Sequence, residues 1–203
     1  MQNDLMGLES ERATPAPNPP PISSATPAPI APLIYKVPLF SQGGWKLCWA
    51  YCAVMIYCYK NNVTDMTQEE ADLMAFSFAY EYQLDKLQID AMTIGTCWWN
   101  QGGWPADIGT ECLARDIGSI YSIRELLESG PVYGYYNGEI ETNGARIPDA
   151  HLIVVTGVDV NNDIIYTHNP WGYSGEQTFE EFMHGFYMSP YENMPLCSIF
   201  RTK

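Results

Sequence analysis

Residues 48–59 read CWAYCAVMIYCY, an apolar run without a charged side chain. With Leu47 before it and Lys60 and two asparagines after it, the stretch fits a buried helix that ends near Asn61 and Asn62. It falls well short of the ~20 apolar residues that cross a bilayer. Such a helix belongs inside a protein core, and the rest of the chain has to cover it. At 203 residues the chain is long enough for one good core, or for a core made of two lobes.

Downstream, TDMTQEEADLMAFSFAYEYQ fits a second helix, with Thr67 as N-cap and Glu70 completing a capping box. NQGGWPADIGTECLARDIG reads as a Gly-Pro turn leading into a shorter helix, and SIRELLESG as another brief helix stopped by Gly130. After Pro131 the period changes to two. PVYGYYNGEI alternates, HLIVVTGVDV is a β-branched run, NND is a turn, and IIYTHNPWG is the hairpin partner. YKVPLF, ahead of the buried helix, reads as a short strand. Helices first and strands after predict an α+β fold of two lobes with a cleft between them. The helical lobe runs over about 45–129 and the β lobe over about 130–203.

Residues 1–33 stand apart from this folded domain of residues 34–203. ATPAPNPPPISSATPAPIAPL, residues 13–33, is mostly Pro, Ala, Ser and Thr, a composition that favours extended polyproline II and buries little. A flexible arm is expected. The N-terminal MQNDLMGLESERATPAP places acids where a secretory signal needs basic residues, and no apolar segment follows. That argues against export by that route and leaves a secreted or delivered protein and a cytoplasmic one both open. A net charge of −14 argues against nucleic acid or an anionic membrane as partner.

Four residue types then suggest cysteine chemistry, which needs a thiolate, a base, an orienter for the base and an oxyanion hole. Cys48 stands at the start of the buried helix, where about half a positive charge and unsatisfied N–H groups stabilise a thiolate. His151 opens the strand HLIVVTGVDV after the loop NGARIPDA, within reach across a cleft. Asn169 in HNPWG can accept the His151 N–H, and because neighbours on a strand face opposite ways, only one of His168 and Asn169 looks into the cleft. Gln42, six residues before Cys48, can supply a second oxyanion donor beside the Cys48 N–H. Taken singly, Cys48 reads equally as a small buried hydrophobe, His151 as a satisfied core or surface histidine, and Gln42 as an ordinary loop residue. His184, in EEFMHGF, reads as a surface residue.

Taken together, QGGWKLCW, GPVYGYY, DAHLIVVTGVD and HNPWG stand in the order and near the spacing that resembles the papain-like cysteine peptidases. The resemblance covers roughly Val37 to Trp171. It implies Cys48 as nucleophile, His151 as general base and then acid, Asn169 as its orienter and Gln42 in the oxyanion hole. Trp171 would shield the Asn–His bond from water, and Trp49 would flank the cleft. CWWNQGGWPADIG resembles the family's Asn-Gly-Gly segment, so Gly102 and Gly103 would admit a substrate backbone and Trp104 would flank the pocket. Asp107 stands where a second nucleophile would be needed for the second QGGW to be a repeat. The compact helical half and the short histidine loop are more similar to bacterial branches, the delivered effector proteases and the peptidases that trim bacteriocin leaders. The latter commonly carry Asp at the position of Asn169, and the family's long pro-domain has no counterpart here.

The expected activity is therefore peptide-bond hydrolysis on a peptide or protein substrate. Two alternatives use the same residues: acyl transfer to an amine, and a catalytically silent peptide-binding module. The arm itself is a further candidate substrate, cut near Leu33 to Val37. No CxxC pair and no Cys/His set at zinc spacing occurs, so no metal or other cofactor is expected. Cys52, one turn beyond Cys48, is expected to face the core and is the rival nucleophile. Among Cys58, Cys97, Cys112 and Cys197, a Cys97–Cys112 bridge and fully reduced thiols are both open.

Overall fold

The apolar run does form the central helix. The computed structural model describes residues 29–81, 110–114, 117–142, 145–185 and 194–202. Its helices are α1 (Cys48–Lys60), α2 (Gln68–Glu81), α3 (Ile120–Leu127) and α4 (Phe179–His184). Its strands are β1 (Leu33–Ile34), β2 (Thr110–Ala114), β3 (Val132–Thr142), β4 (Ala145–Asp159), β5 (Ile164–Asn169), β6 (Tyr173–Gln177) and β7 (Leu196–Thr202). All belong to one sheet of order β2-β7-β3-β4-β5-β6, with β1 paired to β4. Every pairing is antiparallel. The protein is α+β, a mixed helix and antiparallel-sheet fold.

Local signals explain the element ends. α1 stops at Asn61, whose N–H returns to Tyr57 O. The Thr67–Glu70 box closes as expected: Glu70 N–H donates to Thr67 Oγ1 at 3.3 Å, and Thr67 N–H donates to Glu70 Oε2 at 2.8 Å. A second box, Thr178 with Glu181, starts α4. Ser119 caps α3 by accepting from Ser122 N–H. The β4–β5 turn is fixed by Asp159 Oδ1, which accepts from the N–H of Asn161 at 3.0 Å and of Asn162 at 3.3 Å.

The period of two along β3 and β4 divides the core into two layers. Tyr133 and Tyr135 on β3, with Ala150, Leu152 and Val154 on β4, pack against α1 and α2. Val132, Tyr136, Ile153 and Val155 point the other way and pack with Ile123 and Leu127 of α3 and Phe182 of α4. Helices thus cover both faces of the central strands. The expected order of helices first and strands after is broken in two places, by α4 between β6 and β7 and by β2 between α2 and α3. TECLA is not helical but forms β2, which pairs with β7 through Thr110↔Thr202. Its partner lies far along the chain, so no local signal announces it.

The expected boundary at residue 33 also moves. Leu33 pairs with Val158 and Ile34 with Gly157. Asn161 brackets Ile30, with Ile30 N–H donating to Asn161 Oδ1 at 3.3 Å and Asn161 Nδ2 donating to Ile30 O. Arg124 reaches Ala31 O at 3.0 Å. The strand expected in YKVPLF is instead Leu33–Ile34, although Tyr35 N–H still bonds Thr156 O at 2.8 Å. β3 pairs with β4 only as far as Val132↔Val155, so β1 takes over the same edge of β4 beyond that point. The remainder of the expected arm, residues 1–28, lies outside the described residues.

Gly157 makes this junction possible, because a Cβ there would lie 2.6 Å from Leu33 O and 2.9 Å from Ile34 Cα. Both obstacles are backbone, so Gly157→Val should push β1 off the sheet and destabilise the fold by about 1–3 kcal/mol. Gly118→Ala, where nothing lies within 4 Å of the new Cβ, should stay within about 0.5 kcal/mol of the parent. Urea unfolding midpoints of the two variants check the difference.

Candidate active site

His151 is 4% exposed and Asn169 is 1% exposed, both unusually deep for polar side chains. They satisfy each other: His151 Nε2 lies 2.9 Å from Asn169 Oδ1. At its other end Asn169 Nδ2 donates to Tyr173 Oη at 2.9 Å. Oδ1 also accepts the Trp171 N–H at 3.0 Å, and this backbone group, a donor only, sets the amide orientation. With Oδ1 an acceptor, neutral His151 carries its proton on Nε2, and Nδ1 becomes the basic nitrogen. Trp171 stacks on the imidazole, with centroids 4.3 Å apart and planes 27° apart. Gly172, at φ 96°, closes the turn that allows this.

His151 does not open its strand, as the sequence reading has it. The loop expected at NGARIPDA is the paired end of a long hairpin, with Thr142↔Ala145 and Asn137↔Ala150 in register. His151 therefore stands in mid-strand, opposite Tyr136. Of the two neighbours on β5, Asn169 is the one turned to His151. His168 bonds the Pro38 backbone instead, its Nδ1 is buried without a hydrogen-bond partner, and burial pushes its pKa down. His184 is exposed.

Gln42 lies in the loop before α1, and that loop is fastened to the same turn. Its N–H donates to Pro170 O at 2.6 Å, and its carbonyl accepts from Trp45 N–H at 3.1 Å. A Cβ on Gly172 would lie 3.0 Å from Ser41 Oγ, so the two loops are in close contact. Gln42 is 7% exposed, and its Oε1 is buried with no hydrogen-bond partner.

Cys48 is the first residue of α1, after Leu47, which makes no side-chain cap bond, and no acidic residue stands in the first turn. The positive end of the helix is thus not offset by a local carboxylate. One turn on, Cys52 is fully buried and donates its S–H to Leu152 O at 3.3 Å. Burial pushes the Cys52 thiol well up, and nearby Cys48 adds to this. Cys52 is therefore a packed core thiol and a poor nucleophile. Cys48 is half-buried against the cluster that contains Ala150 and Leu152, the two neighbours of His151. It also stands near Tyr135, whose hydroxyl is pushed up by burial first and then by Cys197 and Cys48. Trp49 is half-buried against the same cluster. Strand alternation turns His151 away from that face and towards the Asn169–Trp171 turn. The Gln42 loop bridges the two, because it leads into α1 and bonds that turn.

Gly102, Gly103, Trp104, Asp107 and Cys97 lie outside the described residues, and with Cys97 so does any bridge to Cys112. Cys48, Cys52, Cys58 and Cys197 are not in disulfides. Among the described residues no group of three or more His, Cys, Asp or Glu is placed to hold a metal ion, and no helix is long and apolar enough to cross a membrane. The sequence reading missed Tyr173. Its signal, a tyrosine four residues past Asn169, means nothing until the β5–β6 turn folds it back. Comparison with known proteins finds no matching family model and no matching curated protein.

Burial lowers the pKa of His151 to about 4, and the Asn169 bond opposes that only in part. The native ring resists a proton that the unfolded chain accepts near 6.5. The stability this group supports is therefore present above pH 6.5 and is lost as pH falls towards about 4. In a Cys48→Ala background, where no thiolate opposes the shift, the loss should be roughly 3 kcal/mol between about pH 7 and about pH 4. Urea unfolding at the two pH values, compared with Cys48→Ala/His151→Gln, isolates it. An equal loss in both proteins would contradict the assignment.

Proposed function

We propose that the chain is a papain-like cysteine peptidase, folded as a helical lobe and a β lobe with the substrate cleft between them. The observation that carries the reading is the buried His151–Asn169 bond under Trp171, on the strand against which α1 packs. In this reading the Cys48 thiolate adds to a peptide carbonyl, and the negative oxygen is held by the Gln42 side-chain NH₂ and the Cys48 N–H. His151 passes its proton to the leaving amine as the C–N bond breaks. It then takes a proton from water, whose oxygen attacks the acyl-thioester and releases the acid and the thiolate.

The charge balance of this step is close. Lowering His151 from 6.5 to about 4 opposes the imidazolium by roughly 3 kcal/mol. A thiolate at a contact distance of about 4 Å returns about 4 kcal/mol at an effective dielectric of about 20. The α1 N-terminus adds a few tenths to one kcal/mol on the thiolate side. An ion pair of Cys48 and His151 therefore requires the thiolate at that distance, and without it the neutral imidazole and thiol are the resting state. The same desolvation favours the second reading, a peptide-binding cleft with a neutral histidine and an ordinary thiol.

Self-cleavage between Leu33 and Val37 fits poorly with either reading. Leu33 and Ile34 are paired to β4 and Val37 is buried, whereas a peptidase needs an unpaired extended backbone. Substrate is expected to come from another chain, or from this one ahead of Ile30.

Limiting iodoacetamide at mildly acidic pH separates the two readings, because an ordinary thiol near pKa 8.5 scarcely reacts there. The peptidase reading predicts selective labelling of Cys48, found by peptide mapping, and the binding-cleft reading predicts slow labelling of all thiols alike. In a peptide-library assay Cys48→Ala should abolish turnover while leaving the unfolding midpoint near that of the parent. Gln42→Ala should lower kcat by on the order of 10²–10³ with little change in KM. Full activity in Cys48→Ala would exclude the assignment.

A further inference from the structure

The side chain that fixes Gln42 stands on another element. Gln68, the first residue of α2, faces the backbone of Ser41, immediately before Gln42. Ser41 N–H donates to Gln68 Oε1 at 2.9 Å, and Gln68 Nε2 donates to Ser41 O at 2.8 Å. The amide of Gln68 thus pairs with both backbone groups of one residue, as a neighbouring strand would. Its second N–H donates to Asp72 Oδ1 at 2.6 Å, one turn along α2. All three hydrogen-bonding positions named here point in one direction only, so the amide cannot flip without breaking every bond.

Asp72 links this clamp to the nucleophile's own helix. Tyr51 Oη donates to Asp72 Oδ1 at 2.8 Å. Tyr51 is buried at 1% exposure and lies three residues after Cys48 on α1. The connections therefore run from α1 through Tyr51, Asp72 and Gln68 to Ser41 and Gln42, and the loop returns along the chain to Cys48. On its far side Gln42 is held by Pro170 O through its own N–H at 2.6 Å. The Gln42 side chain receives no such help, since its Oε1 has no partner. Its direction is consequently set by the backbone held between these two anchors.

We infer that Gln68 is a positioning residue for the oxyanion donor, holding the Gln42 NH₂ at a set place relative to Cys48. The inference rests on the peptidase reading for its catalytic consequence, but the clamp itself is independent of that reading. A donor misplaced by about 1 Å costs roughly 10²-fold in rate. Gln68 is exposed, so Gln68→Met keeps the length of the side chain, removes the three bonds and leaves the core untouched.

The test compares two reactions of the same thiol. Peptide hydrolysis passes through an oxyanion. Displacement of iodide from iodoacetamide does not. Gln68→Met should lower kcat for hydrolysis roughly 10²-fold with KM nearly constant, while the rate of Cys48 alkylation stays that of the parent. Gln42→Ala/Gln68→Met should be no slower than Gln42→Ala alone, because the clamp acts through Gln42. Parallel loss of hydrolysis and alkylation would assign Gln68 to the general upkeep of the fold and overturn the inference, as would unchanged hydrolysis. If the parent protein neither hydrolyses peptides nor alkylates selectively, it is the peptidase reading that fails. The clamp is then decided by ¹⁵N–¹H spectra of Gln68→Met. Shifted Gln42 side-chain amide signals with faster exchange of Ser41 N–H uphold it, and unchanged signals overturn it.

Discussion

Burial of α1 is the constraint from which the other features follow. Ala50, Tyr51, Cys52, Ala53, Val54, Met55, Ile56 and Cys58 are all buried, so the helix has almost no side that can meet water. The β3–β4 face covers one side and α2 another, and both contacts are pinned by polar bonds with no slack in register. Cys52 S–H bonds Leu152 O, and Tyr51 Oη bonds Asp72. A helix held this way neither slides nor rotates by a fraction of a turn without emptying part of the core. Cys48, the first residue of that helix, inherits its position from the packing behind it, and needs few bonds of its own to be well placed.

The opposite side of the site is built on a different principle. His151 and Asn169 are polar groups inside the sheet, and their burial is tolerated because both polar atoms of the Asn169 amide have partners. Oδ1 serves His151 and the Trp171 N–H, and Nδ2 serves Tyr173. Trp171 plays two opposing parts. By stacking on the ring it fixes the plane of the imidazole and shields the bond from water. By the same contact it withholds the solvent that an imidazolium needs. Burial as a whole depresses the pKa of His151, and a thiolate near the ring is the kind of partner that restores the balance.

How far the sequence reveals this depends on how local each signal is. The bounds of α1, the Thr67–Glu70 box and the β3, β4 and β5 runs are written in neighbouring residues, through apolar runs, capping pairs and turn asparagines. The pairing of Cys48, His151, Asn169 and Gln42 as candidates is legible because four short motifs stand in a telling order. What is not legible depends on residues distant in sequence. TECLA becomes β2 because β7 offers it an edge, Leu33 becomes a strand because Gly157 leaves room for it, and His151 falls in mid-strand because ARIPDA continues the hairpin. Tyr173 and Gln68 carry no motif at all. Each matters only through the group that the fold sets beside it.

The two halves of the site also differ in how firmly they are held. Asn169 lies at the end of β5, and its partner Tyr173 begins β6, which pairs only with β5 among the described strands. β6 is mostly exposed along its length, and Tyr173 itself is 39% exposed. A terminal strand with few apolar contacts opens at a smaller free energy than the core. When β6 frays, Tyr173 leaves and Asn169 Nδ2 loses that partner, while the Trp171 N–H still holds Oδ1 and α1 and the β3–β4 face remain packed. The side of the proposed site that carries Asn169 therefore rests on an edge of the sheet, and the side that carries Cys48 on its interior. The Gln42 loop moderates this, because Pro170 O, in the turn between the two strands, accepts the Gln42 N–H. The loop thus ties that edge back to α2 and α1, so the bonds that hold Gln42 also brace the turn that follows Asn169.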